Sequence, residues 1–272
     1  MEELVTKLSY EGGSDACEGI MTTDTFKKEF AVSFLLDGKE CHIGGMAKGS
    51  GMIHPNMATM LAFLTSDVAI SSEMLDEVVN DTFNMVSVDG DTSTNDMLCM
   101  LANGLAENEV IQEKGAAYAV FKDALMDICT EISRHIAKDG EGASKLLTCQ
   151  VVHGNDTMTA KKVAKSVITS SLFKAAMFGK DANWGRILCA IGYCDAQFDI
   201  NCIDVTLQSA YGSMPVCVNG AGCGFDEERA VKLLSEDEII IFIDMKQGDA
   251  KATAWGCDLT YDYVKINGDY RT

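Results

Sequence analysis

The chain has 272 residues, of which 47% are hydrophobic, and it carries a formal net charge of −19. This length is sufficient to bury the core of one large domain. Every purely apolar run, such as residues 239–243, is far shorter than the roughly 20 residues that cross a membrane. The acidic charge disfavours nucleic acid and anionic membranes as partners, because both are polyanions. The first residues form neither an apolar nor a basic targeting signal, so we expect a cytoplasmic protein.

Eleven cysteines and four histidines are present, but their spacing does not indicate a metal site. No Cys-x-x-Cys pair occurs, and no histidine stands at ligand spacing from a cysteine. The cysteines occur in apolar stretches, for example at Cys99 and Cys189, so we expect small buried thiols. The acidic stretch at 89–96 does not predict a calcium loop, because Thr94 replaces the required glycine and Met100 the required glutamate.

A β-hairpin is the first element that the sequence predicts. The stretches 31–36 and 41–46 flank the pair Asp37-Gly38, which favours a tight two-residue turn. A strand is expected next at 59–66, where the apolar residues are continuous. Ser71 or Ser72 can then cap a helix that runs through 74–79.

The clearest helical pattern covers residues 118–137. Its apolar side chains recur at three- and four-residue steps, which predicts an amphipathic helix that packs on the core. Thr157 can cap a further helix through 163–168, and Asp226 can cap a shorter one over 227–234.

The last predicted strands lie at 238–245 and 251–257, where β-branched residues are frequent. Helices and strands are therefore interleaved, but they do not follow a strict βαβ alternation. This order predicts a mixed α+β fold in which helices cover the sheets. No internal repeat or Pro-rich linker marks a domain boundary.

The most unusual local sequence is residues 47–61. Gly49, Gly51 and a Pro-Asn step form a turn-rich segment ahead of the predicted strand, and this segment delivers Thr59 to the edge of that strand. Lys48 lies eleven residues upstream of this threonine. By residue type alone, Thr59 is an ordinary strand threonine and Lys48 a solvated loop lysine.

The segment Lys-Gly-Ser-Gly-Met-Ile-His-Pro-Asn-Met-Ala-Thr-Met-Leu closely resembles the self-cleavage segment of the ornithine acetyltransferases, a family of arginine biosynthesis. The similarity extends over essentially the whole chain. Its other matching stretches are residues 20–25, 89–96, 139–145, 180–186 and 262–270.

The resemblance implies that the bond between Ala58 and Thr59 is cut autocatalytically. Residues 1–58 would then be the C-terminal part of the family's α chain and residues 59–272 its β chain, within one structural unit. A threonine hydroxyl is a weak nucleophile until a base takes its proton. The new α-amine of Thr59 can be that base, because a free α-amine has a pKa of about 7.7 to 8.0.

The family's reaction is a ping-pong transfer of the acetyl group of N-acetylornithine to Thr59 and then to glutamate. By resemblance Lys48 holds a substrate carboxylate, and Glu141 holds the substrate ammonium. From residue type alone, Glu141 is an acid in a Gly-rich turn. The residues that match the family's substrate contacts are Thr22 of the Thr22-Thr23 pair, Lys48, Thr59, Glu141, Asn267 and Thr272.

The resemblance also implies the fold and the assembly. The family has a four-layer αββα sandwich of the N-terminal-nucleophile type and forms a heterotetramer of two α and two β chains. It implies no cofactor, although acetyl coenzyme A is a second acetyl donor for bifunctional members. The partners are therefore the small molecules N-acetylornithine, ornithine and glutamate.

The chain departs from the family in the region before Thr59. Family members carry a Thr-Gly pair there that is thought to form the oxyanion hole, and no such pair precedes Thr59. We therefore expect an N-terminally truncated chain, and loss of one oxyanion donor typically lowers a rate by about 100- to 1,000-fold. One alternative is an inactive remnant, or a subunit that needs an N-terminal partner. Another is an amidohydrolase or aminopeptidase, in which water replaces glutamate.

Overall fold

The computed structural model describes residues 5–54, 60–71 and 76–270, which form two β-sheets and the helices packed against them. The strands are β1 (Lys28–Leu36), β2 (Lys39–Lys48), β3 (Leu61–Ser66), β4 (Val86–Ser87), β5 (Met97–Ala102), β6 (Leu146–Gly154), β7 (Asp204–Ser209), β8 (Gly212–Val218), β9 (Ala221–Gly222), β10 (Glu238–Asp244) and β11 (Ala250–Cys257). The α-helices are α1 (Gly13–Gly19), α2 (Asp76–Asp81), α3 (Ala116–Lys138), α4 (Thr157–Thr169), α5 (Ser171–Phe178), α6 (Trp184–Gly192), α7 (Glu227–Leu233) and α8 (Tyr261–Asp269).

The small sheet has the order β1-β2-β3-β5. Its first two strands form the predicted hairpin, in which Asp37 and Gly38 have φ values of 51° and 80°. Two consecutive positive φ angles are typical of the tight turn that an Asp-Gly pair favours. β3 pairs with β2 in antiparallel and with β5 in parallel orientation. The strand expected at 59–66 is confirmed from Leu61 to Ser66, and residues 55–59 lie outside the described residues.

The large sheet has the order β4-β11-β6-β10-β7-β8-β9. The predicted strands at 238–245 and 251–257 are confirmed as β10 and β11. In β10, Ile239, Ile241 and Ile243 alternate with less buried residues and are fully buried. Burial of one face in this way anchors the strand between its neighbours β6 and β7.

Two helices cover the sheets, and glycines in the strands allow these helices to pack closely against them. α3 packs on β1 and β2, where a Cβ on Gly45 would lie 3.2 Å from the side chain of Ile132. α4 packs on β11 and β6, where a Cβ on Gly256 would lie 2.3 Å from Ile168. This architecture of two sheets and covering helices confirms the mixed α+β fold. None of the described helices combines the length and the apolar character that a membrane crossing requires.

The helix starts differ in part from the prediction. Asp156, rather than Thr157, caps α4, and its carboxylate accepts the backbone N–H of Thr159 at 2.8 Å. The prediction was wrong because the aspartate just before the first helical residue is in the better place to accept that N–H. Asp226 is confirmed as the cap of α7. The described part of α2 begins at Asp76, so a cap at Ser72 lies outside the described residues.

The expectation of buried cysteines holds for only part of the set. Cys189 is exposed, because α6 turns Ile187, Ala190 and Ile191 toward the core and leaves the position between them on the outer face. Cys99 is half-buried. The fully buried cysteines are Cys17, Cys41, Cys129, Cys149, Cys217 and Cys257.

Candidate active site

Four of the predicted substrate contacts meet beside the end of β2. Lys48 is the last residue of β2, and its Nζ donates to Thr22 Oγ1 at 3.1 Å. Glu141 follows α3, and one of its carboxylate oxygens accepts from Asn267 Nδ2 of α8 at 2.8 Å. A cationic and an anionic side chain with neutral hydrogen-bonding partners are thus brought together from distant parts of the chain.

Thr23 and Ser50 link these residues into one cluster. Thr23 Oγ1 donates to the second Glu141 oxygen at 2.9 Å and lies 2.6 Å from Ser50 Oγ. The Ser50 carbonyl also accepts the backbone N–H of Glu141 at 2.8 Å. Both threonines of the Thr22-Thr23 pair therefore belong to the site. Ser50 was missed, because a serine between two glycines carries no local signal of this contact.

Gly51 is held against the carboxylate of Glu141. A Cβ at this position would lie 2.4 Å from the carboxyl carbon and 2.5 Å from both of its oxygens. Real Cβ atoms do not approach other atoms this closely, so only glycine leaves the carboxylate where Thr23 and Asn267 bind it.

A buried network of ion pairs and hydrogen bonds lies next to the site. Lys28 is 0% exposed, and its Nζ contacts Asp24 at 2.7 Å and Asp139 at 2.5 Å. Asp24 also accepts the backbone N–H groups of Gly49 at 2.7 Å and Thr22 at 3.1 Å. Burial by itself would raise the pKa of Asp24, but the hydrogen bonds from Gly49 and Lys28 outweigh it and hold that pKa below its usual value. The network thereby fixes the backbone on both sides of the Lys48 to Thr22 contact.

The segment that leads toward residues 55–59 is fixed by Asp89. Its carboxylate accepts the backbone N–H groups of Met52 at 2.6 Å and Ile53 at 3.0 Å. Met52 has a φ of 54°, an uncommon conformation for a residue with a side chain. Tyr263 of α8 places its hydroxyl 3.5 Å from Asp89, and burial together with this carboxylate raises the tyrosine pKa to about 12.

The predicted residues Ala58, Thr59 and Thr272 lie outside the described residues, but the chain just after Thr59 is described. The backbone N–H of Met60 donates to Asp96 Oδ1, and its carbonyl accepts from Met97 N at 2.9 Å. Leu61 pairs with Lys48 across β2 and β3. The strand that follows Thr59 therefore begins beside the lysine of the cluster.

The family model for ArgJ, described as the ArgJ family, matches residues 1–272. A protein of Caldanaerobacter subterraneus subsp. tengcongensis named arginine biosynthesis bifunctional protein ArgJ is 51% identical over 276 residues, which cover all of this chain and 68% of the relative. Arginine biosynthesis bifunctional protein ArgJ 1 of Clostridium acetobutylicum is 50% identical, with the same coverage of both chains.

A solved structure is similar as well. The crystal structure of arginine biosynthesis bifunctional protein ArgJ from Bacillus halodurans superimposes with a TM-score of 0.73 and is 42% identical in sequence. The match covers 78% of this chain and 100% of the solved chain. The family match over the full length and the two relatives at 50% identity or more lead to one conclusion. This chain belongs to the ArgJ family.

Proposed function

We propose that this chain is an acyltransferase of arginine biosynthesis that transfers the acetyl group of N-acetylornithine to glutamate through an ester on Thr59. The observation that carries this proposal is the cluster of Lys48, Thr22, Glu141 and Asn267 at the start of the strand that follows Thr59. The names of the relatives, which are arginine biosynthesis bifunctional proteins, support the same pathway.

The charges in the cluster match the charges of the proposed donor. N-acetylornithine has one carboxylate and one side-chain ammonium. Lys48 can donate to the carboxylate, and Glu141 can accept from the ammonium as a charge-assisted hydrogen bond. Thr22 already binds the Lys48 ammonium, and Thr23 and Asn267 already bind the Glu141 carboxylate. The two charged side chains therefore lose little conformational entropy when the substrate binds.

We propose the following order of bond changes. The Thr59 hydroxyl attacks the Ala58 carbonyl carbon, the peptide C–N bond breaks, and the proton passes to the new α-amine. Water then hydrolyses the ester and releases the new carboxyl terminus at Ala58. In the mature enzyme this amine takes the Thr59 hydroxyl proton while the oxygen attacks the acetyl carbonyl. Ornithine leaves with that proton on its nitrogen. The amine of glutamate then attacks the acetyl carbonyl, the ester C–O bond breaks, and a proton from the glutamate nitrogen returns to the Thr59 oxygen.

Product analysis tests the proposed reaction. Incubation with N-acetylornithine and glutamate should give ornithine and N-acetylglutamate, and incubation with the donor alone should leave an acetyl group on the peptide that contains Thr59. If acetate forms at the same rate with and without glutamate, the chain is a hydrolase and the transferase proposal is wrong. A parallel sample contains the part of the Caldanaerobacter relative outside the matched region. Transfer only in that sample would support the alternative in which this chain is a subunit that needs an N-terminal partner to supply the oxyanion hole.

The proposal includes a second donor, an assembly and a location. The word bifunctional in the relatives' names supports a second activity, for which we propose acetyl coenzyme A as the acetyl donor to glutamate. The family resemblance supports a heterotetramer of two α and two β chains, and we propose the cytoplasm as its location. Assays with acetyl coenzyme A as the only donor, and light scattering of the purified protein, test the first two statements.

We expect Gly51→Ala to weaken substrate binding without weakening the fold. The added methyl group would displace only the flexible end of Glu141, but this end is the proposed partner of the substrate ammonium. Hydrogen bonds to charged groups contribute about 1.5 to 3 kcal/mol, so KM for N-acetylornithine should rise about 10- to 100-fold. The control is Gly224→Ala, because no atom lies within 4 Å of a Cβ there. An unchanged KM in Gly51→Ala would contradict the assigned role of Glu141.

A further inference from the structure

Two three-residue segments, 22–24 and 48–50, face each other beside the candidate active site. Each residue of the first segment forms a hydrogen bond with one residue of the second. The pairs are Thr22 with Lys48 at 3.1 Å, Thr23 with Ser50 at 2.6 Å and Asp24 with Gly49 at 2.7 Å. Thr23 also donates to the Glu141 carboxylate at 2.9 Å. The two charged side chains of the site, Lys48 and Glu141, are therefore held by neighbouring threonines, whose Cα atoms are about 3.8 Å apart.

The hydrogen bonds at Thr23 run in one direction. A threonine hydroxyl has one proton, and Thr23 donates it to Glu141 Oε1. In the contact of 2.6 Å between Thr23 and Ser50, the serine is therefore the donor and the threonine the acceptor. Ser50 is 1% exposed, so water does not replace it easily. Each hydrogen bond in such a chain polarises the next one, so Ser50 strengthens the bond from Thr23 to the carboxylate.

Glu141 is held at three points. Its backbone N–H donates to the Ser50 carbonyl at 2.8 Å, and its two carboxylate oxygens accept from Thr23 and from Asn267. Asn267 is exposed on α8, whereas Thr23 is half-buried and has Ser50 behind it. Because the glutamate side chain is flexible, the distance of its carboxylate from Lys48 depends mainly on the hydroxyl of Thr23. An ionised carboxylate has about four lone-pair sites, so these two contacts leave acceptor capacity for a ligand.

We propose that Thr23, supported by Ser50, is a positioning residue that sets the distance between the Glu141 carboxylate and the Lys48 ammonium and thereby selects the length of the substrate side chain. The inference rests on the proposed function, in which Lys48 binds the carboxylate of the substrate and Glu141 binds its side-chain ammonium. Ornithine has three methylene groups between its α-carbon and this ammonium, and lysine has four. With Glu141 fixed, only one of these lengths brings both charged ends to their partners.

The first test removes the hydroxyl of Thr23 and keeps the shape of the side chain. Thr23→Val has nearly the same size but cannot donate to Glu141, whereas Thr23→Ser retains the hydroxyl and loses only the methyl group. Isothermal titration calorimetry with ornithine, which carries no acetyl group to transfer, gives the dissociation constant. This constant should rise about 10-fold in Thr23→Val and return close to the wild-type value in Thr23→Ser.

Norvaline and lysine show whether the effect acts through Glu141. Norvaline has the carbon chain of ornithine without the side-chain ammonium, so its dissociation constant should be equal in the wild type and in Thr23→Val. Lysine should bind more weakly than ornithine to the wild type. In Thr23→Val this preference for ornithine should fall about 10-fold, because the released carboxylate no longer favours one length. A disturbed fold would instead weaken the binding of all three ligands alike.

Ser50→Ala is a second variant, which leaves Thr23 in place. The serine donates to Thr23 and does not contact the carboxylate through its own side chain. Its loss should therefore raise the dissociation constant of ornithine by a smaller factor than Thr23→Val does, and it should leave the constant of norvaline unchanged. A wild-type constant for ornithine in Ser50→Ala would contradict the supporting role of the serine.

The outcomes separate this inference from the proposed function. If the wild type forms no N-acetylglutamate and binds ornithine no more tightly than norvaline, the proposed function has failed. If the wild type forms N-acetylglutamate and Thr23→Val keeps the full preference for ornithine over norvaline and lysine, the positioning role is wrong and the proposed function stands. Equal weakening of all three ligands in Thr23→Val would also overturn the positioning role. Weaker binding of ornithine alone, restored in Thr23→Ser, supports it.

Discussion

Thr59→Ala should remain a single uncut chain, and its acetyl transfer should fall by at least about 1,000-fold. The substitution removes the only oxygen that can attack the Ala58 carbonyl in the proposed cleavage, and the same oxygen carries the acetyl group in the proposed transfer. The measurement is the mass of the denatured protein, followed by the rate of N-acetylglutamate formation. Two species in the wild type and one in the variant are the expected result.

Two further variants make this result specific. Thr59→Ser retains the hydroxyl and should therefore be cut and acetylated, although more slowly, because serine lacks the methyl group that restricts the threonine side chain. Thr65→Ala removes an exposed threonine of β3 and should behave as the wild type. Cleavage of Thr59→Ala at the wild-type rate would contradict the assignment of the nucleophile.

Lys28→Met should lower the free energy of unfolding by about 3 to 5 kcal/mol, because it leaves the carboxylates of Asp24 and Asp139 buried without their cation. The lysine is 0% exposed and contacts both acids. Lys27→Met is the matched control. Lys27 is 38% exposed and pairs with Glu18 at the surface, where solvent screening leaves an ion pair little net effect on stability. Urea denaturation of the two variants measures the difference.

The same network predicts a dependence of stability on pH. The pKa of Asp24 is lower in the folded than in the unfolded chain, so its contribution to stability is present above the unfolded value of about 4 and is lost as the pH falls through the folded value. This loss should be smaller in Lys28→Met, since part of the pKa shift comes from Lys28. Equal unfolding energies for Lys28→Met and Lys27→Met would show that the network does not stabilise the fold.

Local signals in the sequence were sufficient for several elements of the fold. The Asp37-Gly38 turn determines the hairpin by itself, because few residue pairs adopt two positive φ angles readily. The long helix α3 was predicted within two residues at its start and one at its end, because its apolar stripe extends over many turns. The cap of α4 was misplaced by one residue, since Asp156 and Thr157 both have capping side chains and only the backbone decides between them.

The site could not be derived from local patterns. Thr22 and Lys48 are 26 residues apart, and Glu141 and Asn267 are 126 apart. Only the tertiary fold brings such pairs together, so residue spacing carried no information about them and the family resemblance supplied these positions.

The sequence does contain a signal for the buried lysine that the prediction did not use. Lys28 is in phase with Phe30, Val32 and Phe34 on one face of β1, whereas Lys27 precedes the strand. Side chains two residues apart in a strand share a face. A lysine on an otherwise apolar face has to find carboxylates there. The aspartates that it finds, Asp24 and Asp139, are identified only by the fold.

The pairing of β2 with β3 determines how a cut chain would behave. A break at Ala58 divides the small sheet, with β1 and β2 in one fragment and β3 and β5 in the other. The antiparallel pairing of β2 with β3, which runs from the pair Ile43–Ser66 to the pair Lys48–Leu61, would still join the two fragments. The ion pair between Lys28 and Asp139 would also connect one fragment to the other. The nicked protein should therefore migrate as one particle under native conditions and yield two polypeptides only after denaturation.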